Sequence, residues 1–262
     1  MDCRRKVKNT KNKWEEYANS YDDWYETFVG SVEHFIDWKI LKEYLPKDKN
    51  KKILDAAGGT GRITLPLAKM GYRVTLCDIS SKMLNVAKKK IKREKVIDRV
   101  RILKCDIHNL PFQDECFDFV LCWDGMIEVT SEFVRVIKRG GKISVYLLNR
   151  CRAAIDLSGC DPLKALKIIK SDLGYIYHQE IKQKATNSKE VKNIFESKGI
   201  RVLDIYAICG WMDVLGIPEE IQKSTSWDDE YYSQITELVF NLSKEPSISG
   251  ISRHLVLYGE KI

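Results

Sequence analysis

From residue 52 onward the chain repeats one pattern: a short apolar run, then an amphipathic or polar segment. The runs are KILDA (52–56), RVTLCDI (73–79), VRILKCD (100–106), CFDFVLCWD (116–124) and KISVYLLN (142–149). Helix-like segments follow several of them, at 61–70, at SKMLNVAKKKIKREK (81–95) and at EFVRVIKR (132–139), the last ended by Gly140 and Gly141. Strands that alternate with helices pair in parallel through right-handed crossovers. The expected fold is therefore α/β, a doubly wound sheet. A later helix (188–199) and the runs IRVLDIYAI (200–208) and SRHLVLYGEKI (252–262) bring the expected strands to seven, mostly parallel.

The remaining segments divide the chain. Residues 1–45 read as a helical lid, with helix predicted from 13 to 45 and ended by Pro46. Residues 46–150 form the Rossmann-like core, 151–190 an insertion with some helix and then a helix, and 191–262 the rest of the sheet with a helical insertion at 210–247. A chain of 262 residues suits one such domain with cap insertions. No apolar run approaches the ~18–20 residues that span a bilayer, and MDCRRKVKNTKNKWEEY lacks the apolar stretch of a secretory signal. The expectation is a cytoplasmic protein with no membrane partner.

Eight cysteines (Cys3, Cys77, Cys105, Cys116, Cys122, Cys151, Cys160, Cys209) include no C-x-x-C pair and no zinc spacing, so no metal site is expected. Those in apolar runs read as buried reduced thiols. The net charge of +7 comes partly from KDKNKK (47–52) and AKKKIKREK (87–95), which read as a turn and a solvated helix face. Such lysines permit an RNA partner without indicating one.

The first strand-to-helix turn is Asp55-Ala56-Ala57-Gly58-Gly59-Thr60-Gly61. In an open parallel sheet, ligands sit beyond the carboxyl ends of the strands, where strand order reverses. Small residues there let backbone approach a ligand. Asp78, at the end of the second strand, can accept hydrogen bonds from the vicinal hydroxyls of a ribose. The stretch thus describes a site for a nucleoside-containing cofactor. A dinucleotide fingerprint needs G-x-G-x-x-G. Counted from Gly59 its third glycine falls on Thr64, and counted from Ala57 it falls on Arg62, so that pattern fails.

The spacing Asp55-x-Ala57-x-Gly59-x-Gly61 resembles the first motif, D/E-x-G-x-G-x-G, of class I S-adenosylmethionine-dependent methyltransferases. The resemblance extends to Asp78, to Asp106 after the third strand, to LPFQDECFD (110–118) and to KRGGKI (138–143). It covers roughly residues 50–150. It implies S-adenosylmethionine as cofactor, with the backbone of Ala57, Gly58, Gly59 and Gly61 along its methionine part and Asp55 in the same motif. It also implies Asp78 and Ile79 at the ribose, Asp106 and Ile107 at the adenine, Met83 on the adenine face, and Cys122 and Trp123 near the sulfonium. YANSYD (17–22), with Tyr21, resembles the helix that closes over the cofactor in this family. Two departures stand out: Ala57 replaces a glycine, and the segment from Cys122 to Gly140 is short.

Structural readings accompany these. Asp55 and Asp78 also suit helix caps, Met83 suits core packing, and Tyr17, Tyr21 and Tyr25 suit a helix stripe. His108 is a candidate acceptor-side base, weighed against a solvated loop histidine; His34 and His178 carry less. Trp211, Trp227, Tyr231 and Tyr232 suit either a pocket wall or the core of a cap. The implied activity is methyl transfer to a small-molecule acceptor. Alternatives are a tRNA or protein side-chain methyltransferase, or a non-catalytic cofactor-binding module. An NAD-dependent oxidoreductase is disfavoured by the glycine spacing. Arsenite methylation would require Cys151, Cys160 and Cys209 to converge.

Overall fold

A computed structural model describes residues 14–123, 127–170, 174–178, 181–208 and 215–262. The core strands are β1 (Lys52–Ala56), β2 (Arg73–Asp78), β3 (Val100–Lys104), β4 (Phe117–Cys122), β5 (Ile137–Asn149), β8 (Ile200–Ile208) and β9 (His254–Lys261). They lie in the order β3-β2-β1-β4-β5-β9-β8. Strands β1 to β5 are parallel, and β9 runs antiparallel between β5 and β8. The chain winds outward from β1 through β2 to β3, then returns to β4 on the other side of β1. Strand order reverses between β1 and β4, so a crevice opens at their carboxyl ends.

Successive residues of β1 face opposite layers, as pleating requires. Ile53 packs with Ile36, Ile40 and Leu41 of α1 (Phe28–Tyr44) and with Leu67 of α2 (Thr64–Lys69). Leu54 packs on the other side with Phe133 of α4 (Thr130–Val136) and with Val191 and Phe195 of α7 (Ser188–Glu196). Between them in the chain, α3 (Ser81–Arg93) sets Leu84, Ala87 and Ile91 against Leu76 and Val100. Ser80 caps α3 by accepting the Met83 N–H at 3.1 Å.

Several expectations are corrected. The first helix is not continuous from 13 to 45: a 3-10 segment, Tyr21–Glu26, precedes α1. Thr27 breaks the run by capping α1, accepting from Gly30 N at 3.1 Å. Gly30 makes the break possible, because a Cβ there would lie 1.9 Å from the Trp24 carbonyl oxygen. Tyr17, Tyr21 and Tyr25 therefore do not share one helix. Helix α2 begins at Thr64, not Gly61, since Gly61 sits at φ +75°. Helix α4 ends at Val136, because Ile137 already pairs with Phe117 in the sheet.

The first insertion is more than helix. It holds α5 (Arg150–Ser158), α6 (Pro162–Lys170) and a hairpin of β6 (Gly174–His178) and β7 (Ile181–Thr186), giving nine strands in all among the described residues. Strand β7 pairs with β5 at Leu148 and Asn149, on the edge that β4 leaves free beyond Cys122.

The second insertion contributes α8 (Glu219–Gln222) and α9 (Asp229–Ser243). Trp227, Tyr231 and Tyr232 surround the fully buried Phe28, with ring centroids 5.4, 5.7 and 5.9 Å away. Those three half-buried aromatics thus pack onto the main core through Phe28; Trp211 and Cys209 lie outside the described residues. Of the six described cysteines, Cys77 and Cys122 are buried, Cys105, Cys116 and Cys151 half-buried and Cys160 exposed, and all are unbridged. The expectation of burial holds for Cys77 in β2 and for Cys122 at the end of β4. No described helix is long and apolar enough to cross a membrane.

Phe28→Ala removes the ring that joins cap to core and is expected to cost about 3–5 kcal/mol. Urea unfolding should show the loss; an unchanged midpoint would mean the cap is not held through Phe28.

Candidate cofactor site

The turn after β1 alternates its backbone: Ala57, Gly59 and Gly61 lie at φ +56°, +54° and +75°. Gly58 N donates to the Cys77 carbonyl at 3.1 Å and Gly61 N to the Gly58 carbonyl at 2.9 Å, which closes the turn against β2. Gly58 has no room for a side chain, since its Cβ would stand 2.3 Å from Leu76 Cδ1 and 2.6 Å from Asp55 Cγ. Ala57 holds a left-handed conformation that costs an L-residue about 1–2 kcal/mol. That is a physical reason for glycine in the related pattern, and Ala57 departs from it without changing the turn.

Three carboxylates stand at successive strand ends. Asp55 is buried and accepts from Thr64 Oγ1 at 2.6 Å, tying β1 to the start of α2. Burial pushes its carboxyl up to about 6, against the pull of that bond. Asp78 accepts from Gly59 N at 3.0 Å and from Ser80 N at 2.7 Å. It is 7% exposed, and desolvation outweighs these bonds to raise it to about 6. Neither aspartate is a helix N-cap; Ser80 fills that role for α3.

Asp106 lies just past β3 and accepts from His108 twice, from the backbone N at 2.9 Å and from Nδ1 at 2.7 Å. This places His108 on the β3 side of the sheet, three strand positions from β4. Its ring is held at the Asp106 end of the rim. Its bond to Asp106 holds that carboxylate in one orientation.

The other expected site residues are distributed around this rim. Ile107 and Cys122 are buried in the apolar layer beneath it. The Ile79 backbone N–H faces the Asp78 carboxylate. Met83 is buried, and its Sδ is 3.8 Å from where a Gly59 Cβ would stand. Among the described residues nothing else beyond its chain neighbours lies within 4 Å of that point, which leaves the outer side of the turn at Gly59 open to them. Trp123 donates from Nε1 to Ser144 Oγ at 2.9 Å and is partly exposed.

The N-terminal segment lies over the rim and is fastened to α3 and to the turn after β1. Glu15 accepts from Ser81 N at 2.7 Å, at the N-terminus of α3, where a negative charge is favourable. Asp22 accepts from Thr60 Oγ1 at 2.7 Å and from Lys90 Nζ at 2.8 Å. Tyr21 lies between these ties, its ring 6.2 Å from Trp14 and 6.1 Å from Tyr25.

A further cluster was not read from the sequence. Arg62, next to Gly61, donates from one guanidinium nitrogen to Asp37 Oδ2 at 3.1 Å and lies 3.0 Å from His34 Nδ1. It stacks 4.2 Å from the Tyr25 ring and 5.6 Å from Trp123. Tyr146 of β5 donates toward Glu33 Oε1 at 3.2 Å and Asp37 Oδ1 at 3.3 Å. Burial and the arginine lower His34 to about 4, so it is neutral near pH 7. Burial raises Asp37 to about 7 even though Arg62 opposes it. The available signal was Glu33 and Asp37 at helical i, i+4 spacing, but nothing in the sequence pairs them with Arg62 and Tyr146.

Comparison with known proteins agrees with this geometry. The profile of the methyltransferase domain family matches residues 53–141. Residues 53–141 therefore carry the sequence pattern of a methyltransferase domain. The ubiquinone/menaquinone biosynthesis C-methyltransferase UbiE of Pectobacterium atrosepticum is 34% identical over 106 residues, 37% of this chain and 42% of that protein. The chain thus spans about two fifths of the length of such curated relatives. A methyltransferase of Thermotoga maritima, described as a possible histamine N-methyltransferase, superposes with a TM-score of 0.59 at 18% identity. That match covers 96% of this chain and 99% of the other. The [4+2]-cyclase SpnF shares the fold at 15% identity and a TM-score of 0.57, over 87% of this chain and 81% of its own. One fold therefore carries more than one chemistry.

Arg62→Leu leaves Asp37 buried without its cation. A loss of about 3–5 kcal/mol is expected at pH 8. The folded state holds the Asp37 proton more tightly than the unfolded chain does, so this group's contribution to stability falls as pH rises from about 4 to about 7. The defect of the variant should therefore shrink on acidification to pH 6. Thermal melts at both pH values check this; an equal defect at both would remove the charge from the explanation.

Proposed function

We propose that this protein is an S-adenosylmethionine-dependent methyltransferase that transfers a methyl group to a small-molecule acceptor. The observation that carries the reading is the set Asp55, Asp78 and Asp106 at the ends of β1, β2 and β3, around a turn with alternating left-handed backbone. The open outer side of Gly59 gives an adenosyl ligand room, and a buried carboxylate with spare lone pairs suits a ribose. The small molecules for which UbiE and the Thermotoga protein are named support the acceptor class.

In this reading Asp78, with the Ile79 backbone beside it, accepts from the ribose hydroxyls. Asp106 and the Ile107 backbone read the adenine edge, and Met83 packs near its face. Ala57, Gly58, Gly59 and Gly61 present backbone to the amino-acid end. Bound S-adenosylmethionine supplies the activated methyl group, so the protein's task is to orient donor and acceptor, which lowers a barrier by about 7–11 kcal/mol. Residues 14–26 act as the lid, fastened by Glu15 and Asp22, with Tyr21 on its inner side. Trp123, Tyr25 and Tyr146 wall the acceptor side. Glu33 and Asp37 are the carboxylates nearest Tyr146, able to take the proton that the acceptor gives up.

Calorimetry with S-adenosylhomocysteine and NADH tests the reading. The account expects adenosyl-ligand binding in the micromolar range, about −8 kcal/mol, and none for NADH. Only the ionised Asp78 accepts both hydroxyl protons, so affinity should fall as pH drops through about 6, and Asp78→Asn should lose both affinity and pH dependence. Binding of NADH alone, or a pH profile that the substitution leaves intact, would contradict it.

A further inference from the structure

Helix α6, PLKALKIIK, buries only Ala165 and Ile168. Its other apolar side chains face outward: Leu163 is 73% exposed, Leu166 46% and Ile169 42%. Ile155 of α5, 51% exposed, adds to the same region of the insertion. Each outward residue of α6 is followed directly by a lysine, in the pairs Leu163-Lys164, Leu166-Lys167 and Ile169-Lys170. At 100° per residue this sets the lysines along one flank of the apolar stripe. Two acids of the described insertion lie close by. Asp161 accepts from Lys164 N at 2.9 Å at the start of the helix, and Asp156 is bound by Arg152 at 2.6 Å.

We propose that α6 docks the protein on an anionic lipid surface. Apolar side chains that enter an interface, flanked by lysines whose stems lie along it while their ammonium groups reach phosphate, are what such a surface recognises. Two other occupants fit less well. A second copy seated face to face would bring two sets of these lysines together, and a nucleic acid would leave the leucines in water. Nine residues are far short of the ~20 needed to span a bilayer, so the contact is peripheral. The insertion leaves the sheet at the carboxyl end of β5 and returns through β7 beside it. Docking through α6 therefore places the lipid surface on the same edge of the sheet as the Asp55–Asp78 crevice.

The test is co-sedimentation of the full chain with vesicles of equal parts phosphatidylcholine and phosphatidylglycerol, and with phosphatidylcholine alone. The proposal expects binding to the anionic vesicles only, weakened by added salt. It expects Leu163→Asp with Leu166→Asp, and separately Lys167→Gln with Lys170→Gln, each to reduce binding about tenfold or more, with thermal melts unchanged. The lysine pair lies on the exposed surface, so its result stands even where the leucine pair disturbs folding. Three results would overturn the proposal. One is absence of binding to the anionic vesicles, or binding that neither variant weakens. Another is a dimer in sedimentation velocity that the leucine changes dissociate. The last is single-stranded RNA binding that follows the lysines but not the leucines, in place of vesicle binding.

Discussion

Asp78 is the point on which the crevice depends. Its carboxylate accepts from Gly59 N on one side and Ser80 N on the other, so one side chain holds the turn after β1 and the start of α3 in register. Without it, the buried Ser80 N–H and the half-buried Gly59 N–H would both lose their partner. The same burial raises the carboxylate toward neutrality, so the group that builds the site also sets the pH range in which it can accept from a ligand.

The turn itself is fixed by crowding as much as by conformation. Gly58 lies against Asp55 and Leu76 so closely that any side chain would displace one of them, and Gly61 N closes on Gly58. Over this rigid floor the N-terminal segment is laid as a separate strap. Its ties are carboxylates: Glu15 bonds Ser81 of α3, and Asp22 bonds Thr60 in the turn after β1 and Lys90 of α3. Such partly exposed polar ties are individually modest. Helix α1, by contrast, packs Ile36, Ile40 and Leu41 into the core.

The seven core strands were legible because each is a short apolar run between polar segments, and the three aspartates were legible because each ends such a run. What depended on tertiary contact was not. The break at Thr27 follows from Gly30 meeting the Trp24 carbonyl, a contact between residues whose pattern alone reads as continuous helix. The β6–β7 hairpin escaped notice because its strands carry no clear apolar alternation and gain their place from pairing with the last residues of β5. The Arg62 cluster joins α1, the glycine turn and β5 across the sheet, a meeting that spacing along the chain does not encode.

The central claim is that an adenosyl cofactor lies across the carboxyl ends of β1, β2 and β3. A crystal structure of the protein grown with S-adenosylhomocysteine tests it most directly. The account predicts ribose density within hydrogen-bond reach of Asp78, adenine beside Asp106 and the amino-acid end over Gly59 and Gly61. Ligand density elsewhere on the sheet, or a crevice filled by residues 14–26 at saturating ligand, would contradict it.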